Sequence, residues 1–195
     1  MGFLSKSASD NVNNGGGQTG GYLTPSKLTD GGSMRFAIVS EEPLEYWTSW
    51  GESPEGQKKP FRFAEQPTPT DLEAEMGEFR PREKMDGSGI EQPKFGISVF
   101  VFDYQTESIK VLELSQKGLI KELDSISQEE DYSNIHEWDF TLSRKGLSLN
   151  TEYTLRPAPR KKGFDEKIAT AWSAAKEEGY DITRLLMGGN PFSAA

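Results

Sequence analysis

The sequence contains no cysteine and only one histidine, His136, among its 195 residues. Disulfides, zinc ribbons and thiol catalysis are therefore excluded, as is a metal site built from several histidines. No run approaches the roughly 20 apolar residues that a membrane-spanning helix needs. The N-terminus lacks the basic and then apolar pattern of a signal peptide, so we expect a cytoplasmic protein without a membrane partner. We also expect no cofactor.

Apolar residues are scarce as well. Only 34% of the chain is hydrophobic, whereas 27% is charged, and there are 20 glycines and 11 prolines. Such a composition predicts that part of the chain does not pack into a core. Residues 1–33 are the predicted flexible tail, because the Gly- and Asn-rich stretch 11–21 has almost nothing to bury. About 130 residues then remain, which is enough for one core.

Alternating apolar and polar residues predict five strands, with a helix between the third and the fourth. This is the order of a five-stranded OB-like barrel, a β-rich fold, so we expect an OB-like domain over 34–160 and a C-terminal helical segment over 161–195, its helix near 164–178. The expected strands are 34–50 (interrupted at Pro43), 95–104, 109–114, 137–144 and 151–155, and the expected helix is 116–127 with Ser115 as its N-cap.

Residues 64–94 interrupt this pattern as a polar, acidic insertion that contains four prolines. A short helix is predicted over 70–78, with Asp71 and Glu73 in its first turn. Most of the insertion is predicted to be a mobile surface loop, since long loops inside a small domain are usually functional or disordered.

Motifs of catalysis are missing. The chain has no phosphate-binding glycine loop, no G-x-S-x-G and no H-x-x-x-H pattern. His136 stands just before a predicted strand, a position typical of a surface residue. We therefore expect a protein that is not an enzyme. A magnesium-dependent nuclease that uses the abundant carboxylates is the enzymatic alternative, although the acidic residues form no compact motif.

Four aromatic residues, at positions 47, 50, 61 and 63, flank the basic residues at 58, 59 and 62. Single-strand binding needs this combination, because bases stack on aromatic rings for roughly 1–3 kcal/mol each while cations hold the phosphates. The alternative, an aromatic cluster beneath a loop, stays open, as does a merely solvated set of charges. The stacking candidates are Trp47, Trp50, Phe61 and Phe63, and the phosphate-contacting candidates are Lys58, Lys59, Arg62, Lys110, Arg144 and Lys145.

The net charge of −9 counts against a nucleic-acid partner. The charge is unevenly distributed, however, because 144–162 carries six basic residues and one acidic residue. Arg144 and Lys145 stand at the loop between the fourth and fifth strands, which flanks the binding face of an OB barrel. An acidic protein can still present one basic groove.

The C-terminal tip ends in Pro191-Phe192, near the end of the chain. It is similar to the partner-docking tip of bacterial single-strand binding proteins, but no acidic run precedes it. We expect this segment to pack back on the barrel.

Four segments, RFAIVSEEPLEYW, KKPFRF, FVFDYQTESIKVLELSQKGLIKEL and EWDFTLSRKGLSLNTEYTLRP, together resemble the OB-fold single-stranded DNA-binding proteins of tailed bacteriophages over most of 34–160. The resemblance implies a viral protein that coats single-stranded DNA in the host cytoplasm during replication, recombination or repair, alongside replication or recombination proteins. It also supports Trp47, Lys58, Lys59, Arg62, Arg144 and Lys145 as DNA contacts. The zinc-binding cysteines of the large phage helix-destabilising proteins are absent.

A second hypothesis is a protein-interaction or structural module, such as a phage assembly factor or replication accessory factor, and the acidic balance favours it. An oligomer is compatible with both hypotheses.

Overall fold

A mixed sheet of nine strands organises the molecule, as described by a computed structural model for residues 21–193. Three α-helices and several short 3-10 turns accompany it. The strands are β1 (Tyr22–Leu23), β2 (Ser33–Ile38), β3 (Leu44–Glu52), β4 (Lys58–Phe63), β5 (Arg80–Pro81), β6 (Lys94–Asp103), β7 (Ser108–Leu114), β8 (Trp138–Lys145) and β9 (Glu152–Pro159). The helices are α1 (Pro69–Met76), α2 (Lys117–Gln128) and α3 (Asp165–Glu177).

The first predicted strand, 34–50, is interrupted near Pro43 as expected. Its two parts, β2 and β3, pair one after the other along the same neighbouring strand, β6. Ile38 lies opposite Val101, and Leu44 lies opposite Ser98. Between these ladders the backbone N–H groups of Val39 and Ser40 both donate to the carbonyl of Phe100. The Ser40 hydroxyl in turn accepts a hydrogen bond of 3.0 Å from the Phe100 N–H. These bonds fix the bend.

The sheet is open, and here the expected closed barrel is not found. Its hydrogen-bonded path runs β1-β7-β6-β2-β8-β9, and within residues 21–193 no ladder joins β7 to β9. Closing a five-stranded barrel requires that pairing. Helix α2 lies beside the gap instead, where Glu122 Oε2 accepts a 3.1 Å hydrogen bond from the Leu155 N–H. A side chain therefore satisfies an edge amide that a strand would otherwise pair.

Apolar side chains of β6 and β7 alternate between the two faces of the sheet, and each face has its own core. Leu112 and Leu114 join the inner cluster beneath α2, whereas Val111 joins the outer cluster beneath α3. Helix α2 forms because Leu119, Leu123 and Ile126 recur on one face. Each fully buried side chain of this size contributes roughly 1.5–3 kcal/mol. The predicted N-cap, Ser115, is not used, since Gln116 occupies that position.

The C-terminal segment packs against the outer face, as expected. Ile168 and Ala175 of α3 are buried there, and the chain then returns through a 3-10 turn. The Phe192 ring contacts Tyr22 at 5.5 Å, Tyr180 at 5.3 Å and Phe100 at 6.3 Å between centroids. Aromatic contacts of this kind fix the tip on the sheet.

The insertion over 64–94 is folded, which corrects the expectation of a mostly mobile loop. The predicted helix is present as α1, and Thr68 and Asp71 cap it reciprocally. Leu72 and Met76 are buried, and β5 pairs with β3. The acidic composition concealed this anchoring, because two buried apolar residues are enough to hold a short helix against a hairpin.

The predicted tail is structured from residue 21 onward, and residues 1–20 lie outside the described part. Strand β1 runs parallel to β7, with Tyr22 opposite Val111. Leu23 and Leu28 pack against the inner core cluster. The predicted boundary at residue 33 is therefore too late, because these few apolar residues extend the sheet by one strand.

Candidate nucleic-acid interface

The β3–β4 hairpin carries most of the predicted contacts and divides them between its two faces. Trp47 lies opposite Phe63, and Ser49 lies opposite Phe61, so these aromatic side chains share one face. Trp50 lies opposite Pro60, next to Arg62 on the other face. Neighbouring residues of a strand point in opposite directions. The four predicted stacking residues therefore lie on two different faces of the hairpin.

The face that carries Trp50 contains a groove that we call the Trp50 groove, of about 340 Å³. The hairpin forms one side, and the turn at residues 24–27 forms the other. Trp50 is 37% exposed, the highest value among the large aromatic side chains of residues 21–193. An exposed indole in a groove offers a surface on which a planar ring can stack.

Two of the predicted phosphate contacts are neutralised by carboxylates. Arg62 Nη2 lies 2.6 Å from Glu113 Oε1, and the Arg62 guanidinium stands 5.4 Å above the Tyr46 ring. Lys110 Nζ lies 2.9 Å from Asp103 Oδ2, and only 13% of the lysine side chain is exposed. Neither cation offers an unpaired charge to a phosphate in this arrangement.

Tyr46 forms part of the floor of the Trp50 groove. Burial raises the pKa of its hydroxyl, and the nearby Glu113 carboxylate adds to that effect. The hydroxyl lies 2.7 Å from the Ser98 hydroxyl. The floor of the groove is thus an uncharged, hydrogen-bonding aromatic ring.

A second depression, which we call the Trp47 groove, adjoins the first and measures about 460 Å³. The two grooves share Lys94 and Ser115. The Trp47 ring meets the Phe95 ring edge to face, with centroids 5.6 Å apart. We call these two adjoining grooves, each with one tryptophan, the path.

Cations border the Trp47 groove. Lys84, Lys94 and Lys117 all line it, and none of the three forms an ion pair within residues 21–193. Its acidic residue, Glu91, is engaged by Arg82, with hydrogen bonds of 2.8 and 3.0 Å. This contact lowers the pKa of Glu91 and holds the two strands of the insertion together. The groove therefore has an excess of unpaired positive charge.

Helix α2 adds a further positive element to this path. It begins at Lys117, its N-cap Gln116 makes no capping hydrogen bond through its side chain, and no acidic residue occupies its first turn. Ser115, Gln116 and Lys117 all line the grooves. The uncapped amides and the dipole of a helix N-terminus favour anions.

The remaining predicted cations line neither groove. Lys58 and Lys59 are exposed at the end of the hairpin, and Lys59 Nζ stands 5.0 Å from the Phe61 ring centre. Arg144 Nη1 donates to the carbonyls of Ser26 and Leu28 at 3.0 and 2.6 Å, so it supports the turn that walls the Trp50 groove. Lys145, the next residue after Arg144, is exposed.

Sequence reasoning missed Lys84, Lys94, Lys117, Tyr46 and Phe95 as members of one site. One signal was available, since the first turn of a helix usually carries acidic residues and Lys117 breaks that rule. Lys84 and Lys94 were assigned to the acidic insertion, and only the fold brings them beside Trp47.

Comparison with protein-family models finds no match, and searches of curated proteins and of solved structures find no significant match either. No helix within residues 21–193 has the length and apolar character required to cross a bilayer. In the same part of the chain, no group of three or more histidine or acidic side chains could hold a metal ion.

Proposed function

We propose that this protein binds single-stranded DNA, without sequence specificity, along the path formed by the Trp50 and Trp47 grooves. The observation that carries the proposal is the joining of two tryptophans by a strip of unpaired lysines, with Lys94 at the junction. Bases stack on aromatic faces whatever their sequence, and the lysines hold the phosphates. Its role would be in replication, recombination or repair.

The strand connections support an OB-derived architecture for this function. β2 and β3 act as one first strand beside β6, β6 pairs with β7, and β2 pairs with β8, which pairs with β9. Helix α2 lies between β7 and β8. An OB-fold has this order, and it binds oligonucleotides between its first and last loops. Here that region contains the β3–β4 hairpin and the turn at residues 24–27, which Arg144 holds in place.

The acidic net charge is compatible with the proposal because the acids near the path are paired. Glu113 is neutralised by Arg62 and Glu91 by Arg82. The remaining negative surface disfavours contact with duplex phosphates outside the grooves.

The test is a titration of fluorescein-labelled dT oligomer followed by anisotropy at several salt concentrations. We expect binding whose log Kd changes linearly with log salt. Lys94→Glu combined with Lys117→Glu reverses two charges on the path and should weaken binding by more than tenfold at low salt. Lys167→Glu combined with Lys176→Glu on α3, which also reverses two charges, is the matched control. Equal effects of the groove and control variants would place the DNA elsewhere.

A second candidate, a protein-interaction module, is favoured by apolar side chains at loop tips. Leu149 and Met85 are fully exposed, and Leu147 is 63% exposed. Contiguous exposed apolar side chains mark partner contacts, and Leu147 and Leu149 lie two residues apart on the β8–β9 loop. This function predicts no binding to dT oligomers even at low salt.

A further inference from the structure

An apolar cavity of about 540 Å³ opens between helix α2 and the bend of the first strand. Ile97 and Val99 of β6 form its floor, and Ile120 and Leu123 of α2 form one wall. Ligand sites in proteins commonly have this size and an apolar lining with a few polar groups. Here the polar groups include Ser127 and Asp124 on α2.

The bend at residues 40–43 creates the cavity. β2 leaves β6 near Val101, and β3 joins it at Ser98. Glu41, Glu42 and Pro43 lie between the two ladders and are exposed. Glu41 and Pro43 line the cavity together with Ile97 and Val99, so the bend leaves a depression above an apolar part of the inner core.

The cavity adjoins the Trp47 groove, since Phe95 and Lys117 line both. Phe95, Ile97 and Val99 alternate along one face of β6, so they descend from the groove into the cavity. On α2, Lys117 and Lys121 stand one turn apart at its mouth. A strand that leaves Trp47 therefore reaches the mouth of the cavity with two cations beside it.

We propose that this cavity receives one unstacked base of the bound single strand, with Lys117 and Lys121 contacting the adjoining phosphates. The inference rests on the proposed function. The apolar walls contact the faces of the base, and the Ser127 hydroxyl and the Asp124 carboxylate reach its polar edge. A base held in a Watson–Crick pair cannot enter, so the cavity selects single strands over duplex.

The charges around the rim favour a base over an apolar peptide. Lys117 and Lys121 lie on α2, where the Asp124 carboxylate accepts a hydrogen bond from Gln128, whereas Glu41 and Glu45 lie on the first-strand side. Carboxylates repel phosphates, so the sugar-phosphate backbone stays at the lysine side while the uncharged base enters. An uncharged peptide backbone would gain no charge interaction with the lysines of the adjoining groove, whereas a phosphate backbone would.

The experiment uses the full chain labelled with ¹³C at isoleucine δ1-methyl groups and titrated with a dT oligomer. Ile38, Ile97, Ile120 and Ile135 line the cavity, whereas Ile109, Ile168 and Ile182 pack in the outer core. We expect the four cavity methyls to shift and the three outer methyls to stay. The outer methyls also report whether each variant retains its fold.

Ser127→Phe fills the cavity from α2 and should weaken dT binding about 5- to 100-fold, the loss expected for one base contact. Ser125→Phe, on the same helix but outside the cavity, should leave affinity unchanged. Quenching of tryptophan fluorescence by dT without any shift of the cavity methyls would overturn the base proposal while the groove proposal stands. Absence of any dT binding would overturn both. Movement of the cavity methyls by an anilinonaphthalene dye, but not by dT, would assign the cavity to an apolar partner and overturn the base proposal.

Discussion

Arg62 of β4 reaches across β3 and β6 to Glu113 of β7, and the two charged groups meet at 2.6 Å. The side chains are only 14% and 16% exposed, so the pair is partly shielded from water. Gly96 lies between the two strands and adds no side chain to the groove floor. The pair therefore sets the charge of the Trp50 groove, and removing its acidic partner is a direct way to test the groove.

Glu113→Gln should tighten binding to single-stranded DNA about 3- to 10-fold at low salt. The glutamine oxygen still accepts a hydrogen bond from Arg62, while the guanidinium charge becomes available to a phosphate. One additional phosphate contact should steepen the slope of log Kd against log salt by about 0.7. Anisotropy titrations measure both quantities. Glu107→Gln, which removes the acid paired with Lys167, is the control, and an unchanged slope in Glu113→Gln would argue against phosphate at Arg62.

Trp47→Ala and Trp50→Ala should each weaken dT binding about 5- to 100-fold, because each removes one stacking surface worth roughly 1–3 kcal/mol. The other two tryptophans, Trp138 and Trp172, pack against the inner and outer cores. Replacing either of those by Phe should leave the fractional quenching by dT intact or increase it. Quenching that disappears with Trp172→Phe would locate the strand on the α3 side instead.

Tyr22 should make the protein sensitive to alkali. Burial, with the Glu113 carboxylate as a second cause, raises the pKa of Tyr22 from 10.0 to about 12. Because the folded state keeps this proton after the unfolded chain has lost it, the contribution to stability is constant below pH 10 and is lost as the pH rises toward 12. Urea unfolding at pH 9, 10 and 11 measures the change. Tyr22→Phe should show a smaller loss between pH 10 and 11 than the parent protein, and an identical loss in both would exclude Tyr22 as the cause.

Met76 should anchor the insertion to the hairpin. It is 2% exposed, and its methyl group lies so close to Gly51 that a Cβ on this glycine would stand 2.6 Å from it. Met76→Ala should cost about 2–3 kcal/mol, since it leaves a cavity beneath α1. We expect faster proteolysis within residues 77–90, measured by limited digestion. Met85→Ala at the exposed tip is the matched control and should change stability by less than about 0.5 kcal/mol. Equal cleavage rates in the two variants would mean that other contacts hold the insertion.

The strands β2, β3 and β6 to β9 were predictable because their apolar residues recur strongly along the sequence, whereas β1, β4 and β5 were not among the five expected strands. Trp138, Phe140 and Leu142 share one face as expected, and α2 lies within one residue of its predicted limits. The placement of Trp47 and Trp50 on opposite faces could also have been predicted from the sequence. Trp47 and Trp50 are three residues apart, an odd spacing that puts them on opposite faces of a strand.

The grooves themselves were not predictable, since distant segments create them. Lys94 and Lys117 begin a strand and a helix, and they meet beside Trp47 only through the pairing of β3, β6 and β7. The open sheet has a similar origin. Whether β7 pairs with β9 depends on where α2 packs, and local alternation contains no information about that distance.

The contact between Phe192 and the first described residues has a further consequence. The ring lies so close to Gly21 that a Cβ there would stand 2.4 Å from it, and it also meets Tyr22 edge to face. The backbone over 21–193 thus comes near to forming a loop. In a variant trimmed to residues 21–193, a short linker could join Gly21 to Ser193, and new termini could be opened at the exposed turn around Gly87. Such a circular permutant would keep every ladder of the sheet while changing which strands are synthesised first.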